Sequence, residues 1–221
     1  MCGRFVIAAD ANVIQQAFDL ESIPADFSPR YNIAPTQLAP VITNEHPDQL
    51  VMYRWGLIPS WAKEISIGAK MINARAEGID EKPSFRAAFK RRRCLVPATG
   101  FYEWQACEDG KHPMYIQLKQ QSLFAMAGLW EVWRDGEGRD LRTFTIITTS
   151  ANSFMKNIHD RMPVILHRDD YAVWLQDEEV PTDALKNLLR PFDPDTLTAF
   201  EVSKAVNRAV VDSPDLIQPV A

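Results

Sequence analysis

The order of the strand-like segments constrains this fold most. Residues 4 to 8, 38 to 43, 50 to 56, 93 to 97, 100 to 105, 114 to 119, 124 to 132 and 142 to 149 each read as a short strand between turn signals. Most of them follow one another with no helix between, whereas a doubly wound parallel sheet needs strand and helix to alternate. The pattern predicts a single α+β domain over residues 1–221, with a largely antiparallel, barrel-like sheet flanked by helices. Asn44-Glu45-His46-Pro47-Asp48 turns one hairpin and Asp109-Gly110 another. Helices are expected at Ala11 to Phe18, capped by Asp10, at Phe85 to Arg91 after Pro83-Ser84, and at 151–157, 169–176 and 182–189. The last thirty residues read as polar and irregular.

Composition narrows the class. Hydrophobic residues make up 46% of the 221, enough for a substantial core, yet no apolar run approaches the ~18 residues of a spanning helix. With no basic leader and apolar segment at the start, a cytoplasmic protein is expected, without a membrane partner and as a monomer. Cys2, Cys94 and Cys107 have no paired or metal-ligand spacing, so neither disulfides, a metal nor another cofactor is expected. The net charge of −5 argues against a phosphate-binding protein until its distribution is considered. Residues 1–105 carry +1 and residues 106–221 carry −6, so a nucleic-acid face would draw on the first half.

Met1-Cys2-Gly3-Arg4-Phe5 puts a thiol where removal of the initiator methionine leaves it beside an α-amine. The amine titrates near ~8 and a thiol near ~8.5, so both are expected to be partly available at neutral pH without a dedicated base. An amine attacks an aldehyde to give a Schiff base, and the adjacent thiol then closes a five-membered thiazolidine. A small hydrophobe packed before a first strand is an equal reading of Cys2 from position alone.

Other segments pose the same choice. Asn73, in Ile72-Asn73-Ala74-Arg75-Ala76-Glu77, offers donor and acceptor for orienting an end group, and Arg75 can fork onto a phosphate; a satisfied turn explains both as well. Glu103, in Gly100-Phe101-Tyr102-Glu103-Trp104, is either a desolvated proton-transfer carboxylate or the outward residue of a strand with inward aromatics. His159, followed by Asp160 and Arg161, is either an acid/base group or a cation at a helix end. Lys90 to Arg93 reads as a solvated basic face, while Trp55 and Trp61 would be stacking platforms if exposed.

Taken in order, Met1-Cys2-Gly3-Arg4-Phe5, Pro29-Arg30-Tyr31-Asn32-Ile33-Ala34-Pro35, Trp55-Gly56-Leu57-Ile58-Pro59-Ser60-Trp61, Ile72 to Glu77, Gly100 to Trp104 and Ile158-His159-Asp160-Arg161-Met162-Pro163 form a specific signature. It resembles the SRAP (SOS response-associated peptidase) family of abasic-site-processing proteins over most of the chain. The resemblance implies covalent capture of abasic sites in single-stranded DNA by mature Cys2, self-removal of Met1, and a β-elimination lyase side reaction. It implies catalytic roles for Cys2, Asn73, Glu103 and His159. It further implies DNA contacts from Arg4, Trp61, Arg75, Arg86 and Arg161. Thr99 and Ala62 depart from what many relatives carry. Two other classes share these residues: an N-terminal-nucleophile thiol peptidase or amidase, and a noncatalytic single-strand-binding module.

Overall fold

The computed structural model describes residues 2–177 and 180–220. Among the described residues thirteen strands fall into two sheets, and the short apolar runs pair mostly antiparallel, as the strand order predicts. The larger sheet uses β3 (Leu38–Thr43), β4 (Val51–Trp55), β5 (Asn73–Arg75), β6 (Arg93–Ala98), β9 (Phe124–Arg134), β10 (Asp140–Ser150), β11 (Arg161–Pro163) and β12 (Ile165–Leu166). Within it β10 pairs β4, β4 pairs β3, β3 pairs β6, β6 pairs β9, and β9 returns to β10, which closes a five-stranded ring without free edges. Only the pairings of β10 with β4 and with β5 are parallel in this sheet. Gly128 explains how the ring closes tightly: it pairs Cys94 and Ile146, and a Cβ there would lie 2.8 Å from Cys94 Sγ and 3.0 Å from Thr145 O.

The second sheet has the order β13-β8-β7-β1-β2, from β1 (Phe5–Ile7), β2 (Arg30–Ile33), β7 (Gly100–Cys107), β8 (Gly110–Leu118) and β13 (Leu197–Glu201). Alternation gives it two buried faces. Phe5, Ile7 and Phe101 join the main core with Trp55, Phe144 and Ile146 of the ring. Val6, Tyr102 and Tyr115 face a smaller core closed by Val202, Val206 and Leu216. The C-terminal segment is strapped there by polar bonds: Asn32 Nδ2 donates to the carbonyls of Val206, Arg208 and Val211, and Asp212 accepts the amides of Tyr31 and Asn32 and pairs with Arg30. The irregular tail expected from sequence therefore contains a strand, β13, whose paired register with β8 covers an otherwise open edge.

Helices are few. α1 (Ala11–Phe18) forms as predicted, with Asp10 accepting from Val13 N at 3.0 Å and a left-handed Asp19 ending it. α2 (Arg86–Arg91), α3 (Tyr171–Trp174) and α4 (Thr182–Asn187) are shorter than expected, and 151–157 holds only a 3-10 turn, Met155–Asn157. Arg93 shows why the basic run is not simply a solvated face. Its guanidinium is fully buried and donates to the carbonyls of Phe89, Lys90, Trp174 and Gln176, joining the end of α2 to the end of α3. Among the described residues no helix is long and apolar enough to cross a membrane.

Candidate active site

Cys2 lies just before β1. The β1–β7 register, Phe5 opposite Phe101, carried back past the start of β1 runs residues 2–4 along Tyr102 to Trp104, and the Cys2 thiol lies within reach of the Glu103 charge. Both are buried, Glu103 at 2% exposure. Alternation along β7 sends Tyr102 to the small core and Glu103 to the face shared by Phe101, so the outward-facing reading of Glu103 does not hold. Burial raises the Glu103 carboxyl above the usual carboxylate range, and nearby His159 opposes that rise. Burial and then the Glu103 charge push the Cys2 thiol far up as well. This runs against the expectation of a partly ionised thiol: desolvation favours the protonated thiol, with the Glu103 carboxyl beside it.

His159 supplies the third group. Its Nε2 is 4.0 Å from Glu103 Oε2. The Arg161 backbone N–H lies 3.0 Å from Nδ1, on the ring edge turned away from Glu103. Exposed Asp160 brings a carboxylate oxygen to 2.8 Å from the same Nδ1. Gln105 Nε2, two residues along β7, holds the Asn157 carbonyl at 2.8 Å and so fixes the approach of this loop.

β10 joins the remaining segments. Its C-terminal end carries β5 on one edge and β11 on the other, with Thr148 opposite both Arg75 and Pro163. Thr148 O accepts from Ala76 N and from Arg161 Nη2, and Arg161 forks onto Glu77 at 2.7 and 2.9 Å. That pairing depresses the Glu77 carboxyl. Asn73 Nδ2 donates to Ile72 O at 3.0 Å, while its Oδ1 is buried without a hydrogen-bond partner among the described residues. Such an atom is costly unless something donates to it.

The expected DNA contacts divide into distinct environments. Trp61 is 59% exposed, on a loop held by Ile58 N to Thr143 Oγ1 and by Trp133 Nε1 to Ala62 O. Gly56, at φ +119°, packs against Gly68 where a Cβ would meet Gly68 O at 2.5 Å, which closes the base of that loop. Trp55 is buried and donates to Ile72 O, so of the two tryptophans only Trp61 offers a ring face. Arg75 is exposed. Arg161 is held by Glu77, Arg86 stands exposed on α2 beside a shallow depression with Asp80 and Lys90, and Arg4 donates to Asn32 Oδ1 and the carbonyls of Val206 and Asn207. Thr99 clips β7 to β1, accepting from Ala8 N and donating to Val6 O. Sequence reasoning missed Asn32, Glu77 and Asp212 as partners of these groups. Asn32 and Glu77 lie inside the noted segments, yet only pairing across the fold reveals their role.

A family model described as SOS response associated peptidase (SRAP) matches residues 1–209. The chain belongs to the SRAP family. It is 45% identical to abasic site processing protein YoqW of Bacillus subtilis over 99% of both chains. It is 35% identical to abasic site processing protein HMCES of Xenopus tropicalis, over 88% of this chain and 67% of that one. Among solved structures, a protein from Bacteroides thetaiotaomicron matches this SRAP chain with a TM-score of 0.90 at 30% identity over the whole of both.

Proposed function

We propose that this SRAP protein captures abasic sites in single-stranded DNA covalently through Cys2 once Met1 is removed. The observation that carries the reading is the buried Cys2 beside Glu103, itself in contact with His159, in a chain whose relatives are named abasic site processing proteins. With the thiol held protonated, the α-amine attacks first. It adds to the ring-opened deoxyribose aldehyde, and water leaves to give a Schiff base. The thiol then adds to the imine carbon while its proton passes to the imine nitrogen, completing a thiazolidine with net loss of one water.

Glu103 accepts and returns protons in these steps, the task suited to a carboxyl whose pKa burial has raised. His159 Nε2 exchanges protons at the carbinolamine and during any reversal. The buried Asn73 Oδ1 accepts from the end group or the opened sugar. Trp61 stacks on a base and Arg75 takes a phosphate, while Arg161 joins them by exchanging Glu77 for phosphate oxygens. Arg4 mainly holds the C-terminal strap, with donors left for one phosphate, and Arg86 extends the basic surface. The same groups hydrolyse the Met1–Cys2 bond, and β-elimination from the Schiff base is the competing lyase outcome. Intact mass spectrometry tests the proposal: demethionylated protein gains the mass of an abasic oligonucleotide less one water, and gains nothing from undamaged DNA. Turnover of peptides with no such adduct would replace the proposal with the thiol-amidase reading.

A further inference from the structure

The far end of β7 carries a second thiol, carboxylate and imidazole. In the β7–β8 hairpin Cys107 pairs Gly110 and Gln105 pairs His112, so Cys107 and His112 share one face. Asp109, in the turn between them, brings both carboxylate oxygens to 2.9 Å from His112 Nε2. One donor atom each from Cys107, Asp109 and His112 lies within 4.8 Å of the others. β13 adds a fourth group on the same face: Glu201, paired with Met114, holds His112 Nδ1 at 2.7 Å.

We infer that this hairpin tip binds a divalent ion of the zinc class, with Cys107 Sγ, Asp109 and His112 Nε2 as ligands and Glu201 as the carboxylate that orients the histidine. The donor set selects the ion: one thiolate, one imidazole and one carboxylate suit a borderline-soft transition metal and not magnesium or calcium, which take oxygen ligands. Geometry is near what tetrahedral coordination requires. Metal–ligand bonds of about 2.0–2.3 Å put neighbouring donor atoms roughly 3.3–3.6 Å apart, so the carboxylate moves outward from the imidazole by a few tenths of an ångström and the thiolate moves in. Both are exposed side chains at a turn and move without disturbing the core. The Glu201–His112 contact is the usual outer-shell arrangement of a metal-bound histidine, fixing the proton on Nδ1 and Nε2 toward the ion. Three protein ligands leave a fourth position for water. The ligand spacing Cys107-x-Asp109-x-x-His112 resembles no paired cysteine motif, so the sequence expectation of no metal site passed over it. Glu201 comes in only through the pairing of β13 with β8.

Titration of the full-length protein with Co²⁺ in metal-free buffer, followed by displacement with Zn²⁺, tests the inference. One equivalent of Co²⁺ is expected to produce a near-ultraviolet thiolate charge-transfer band that Zn²⁺ removes. Cys107→Ser is expected to abolish the band, and His112→Ala and Asp109→Asn to weaken binding at least tenfold. Glu201→Gln is expected to weaken it about 10- to 100-fold. Unchanged melting temperatures of the metal-free variants separate ligand loss from unfolding. A band that survives Cys107→Ser, an affinity that survives His112→Ala, or no stoichiometric binding would each overturn the site.

Discussion

One face of β7 carries the same chemistry twice, in opposite solvent. Near its middle buried Glu103 meets buried Cys2 and the half-buried His159; four residues on, about 13 Å along the strand, Cys107 stands with Asp109 and His112 at an exposed tip. Burial raises both the Glu103 carboxyl and the Cys2 thiol, which favours their protonated forms. At the tip Glu201 and Asp109 raise the His112 imidazole and His112 in turn holds the Asp109 carboxyl below its ordinary range, so there the groups face one another as charges in solvent. Residue types alone therefore do not assign a role; the degree of desolvation does.

The largest expected effect is at Cys2. Cys2→Ala should leave no denaturation-stable adduct with abasic single-stranded DNA on a gel, whereas an adduct of normal yield would remove the thiazolidine from the proposal. Cys107→Ser should cross-link at the wild-type rate, since its thiol lies on the other arm of the comparison.

Glu103→Gln should slow cross-linking about 10²- to 10⁴-fold, the range for loss of a general acid or base, and flatten the limb of the pH–rate profile that Glu103 supplies. Stability gives an independent readout. A carboxyl whose folded pKa is raised binds protons more tightly in the folded state, so its stabilisation is complete below the unfolded pKa of roughly 4.3 and declines as pH rises through the folded pKa. Glu103→Gln should accordingly gain in melting temperature relative to wild type between acid and neutral pH. A parallel pair of curves would mean that Glu103 is not desolvated.

Trp61→Ala should weaken DNA binding about 5- to 150-fold, corresponding to ~1–3 kcal/mol for one stacked base, with the rate from the bound state unchanged. Fluorescence anisotropy and single-turnover cross-linking separate the two. The smallest effect is chemical labelling: brief iodoacetamide treatment at neutral pH should modify exposed Cys107 and leave buried Cys2 and Cys94 unreacted. Equal labelling of Cys2 would erase the contrast between the two ends of β7.

Particular residues show how much was legible beforehand. The strand at 38–43, the strand expected at 93–97 and found at Arg93–Ala98, and the capped helix at 11–18 follow from period and turn chemistry, which are local. The six segments of the signature already point to the SRAP family, and the family match and fold bear that out. Strand β13 was not legible because an edge strand takes its order from its partner, and Leu197 to Glu201 carries little apolar alternation of its own. Arg93 reads in sequence as one of four basic residues, since only the convergence of two helix ends around it supplies four carbonyls.

The sequence by itself determined the α+β class and the family and supplied the candidate site residues, because strand order, turn residues and side-chain types are written locally. Tertiary structure alone decided which of them are desolvated and what they face. It put Glu103 inward with Cys2, tied Arg161 to Glu77, left Trp61 in solvent while burying Trp55, and set Glu201 behind His112. Those outcomes depend on segments up to about a hundred residues apart meeting across a sheet, and a charge or a thiol changes its proton affinity according to how much water that meeting removes.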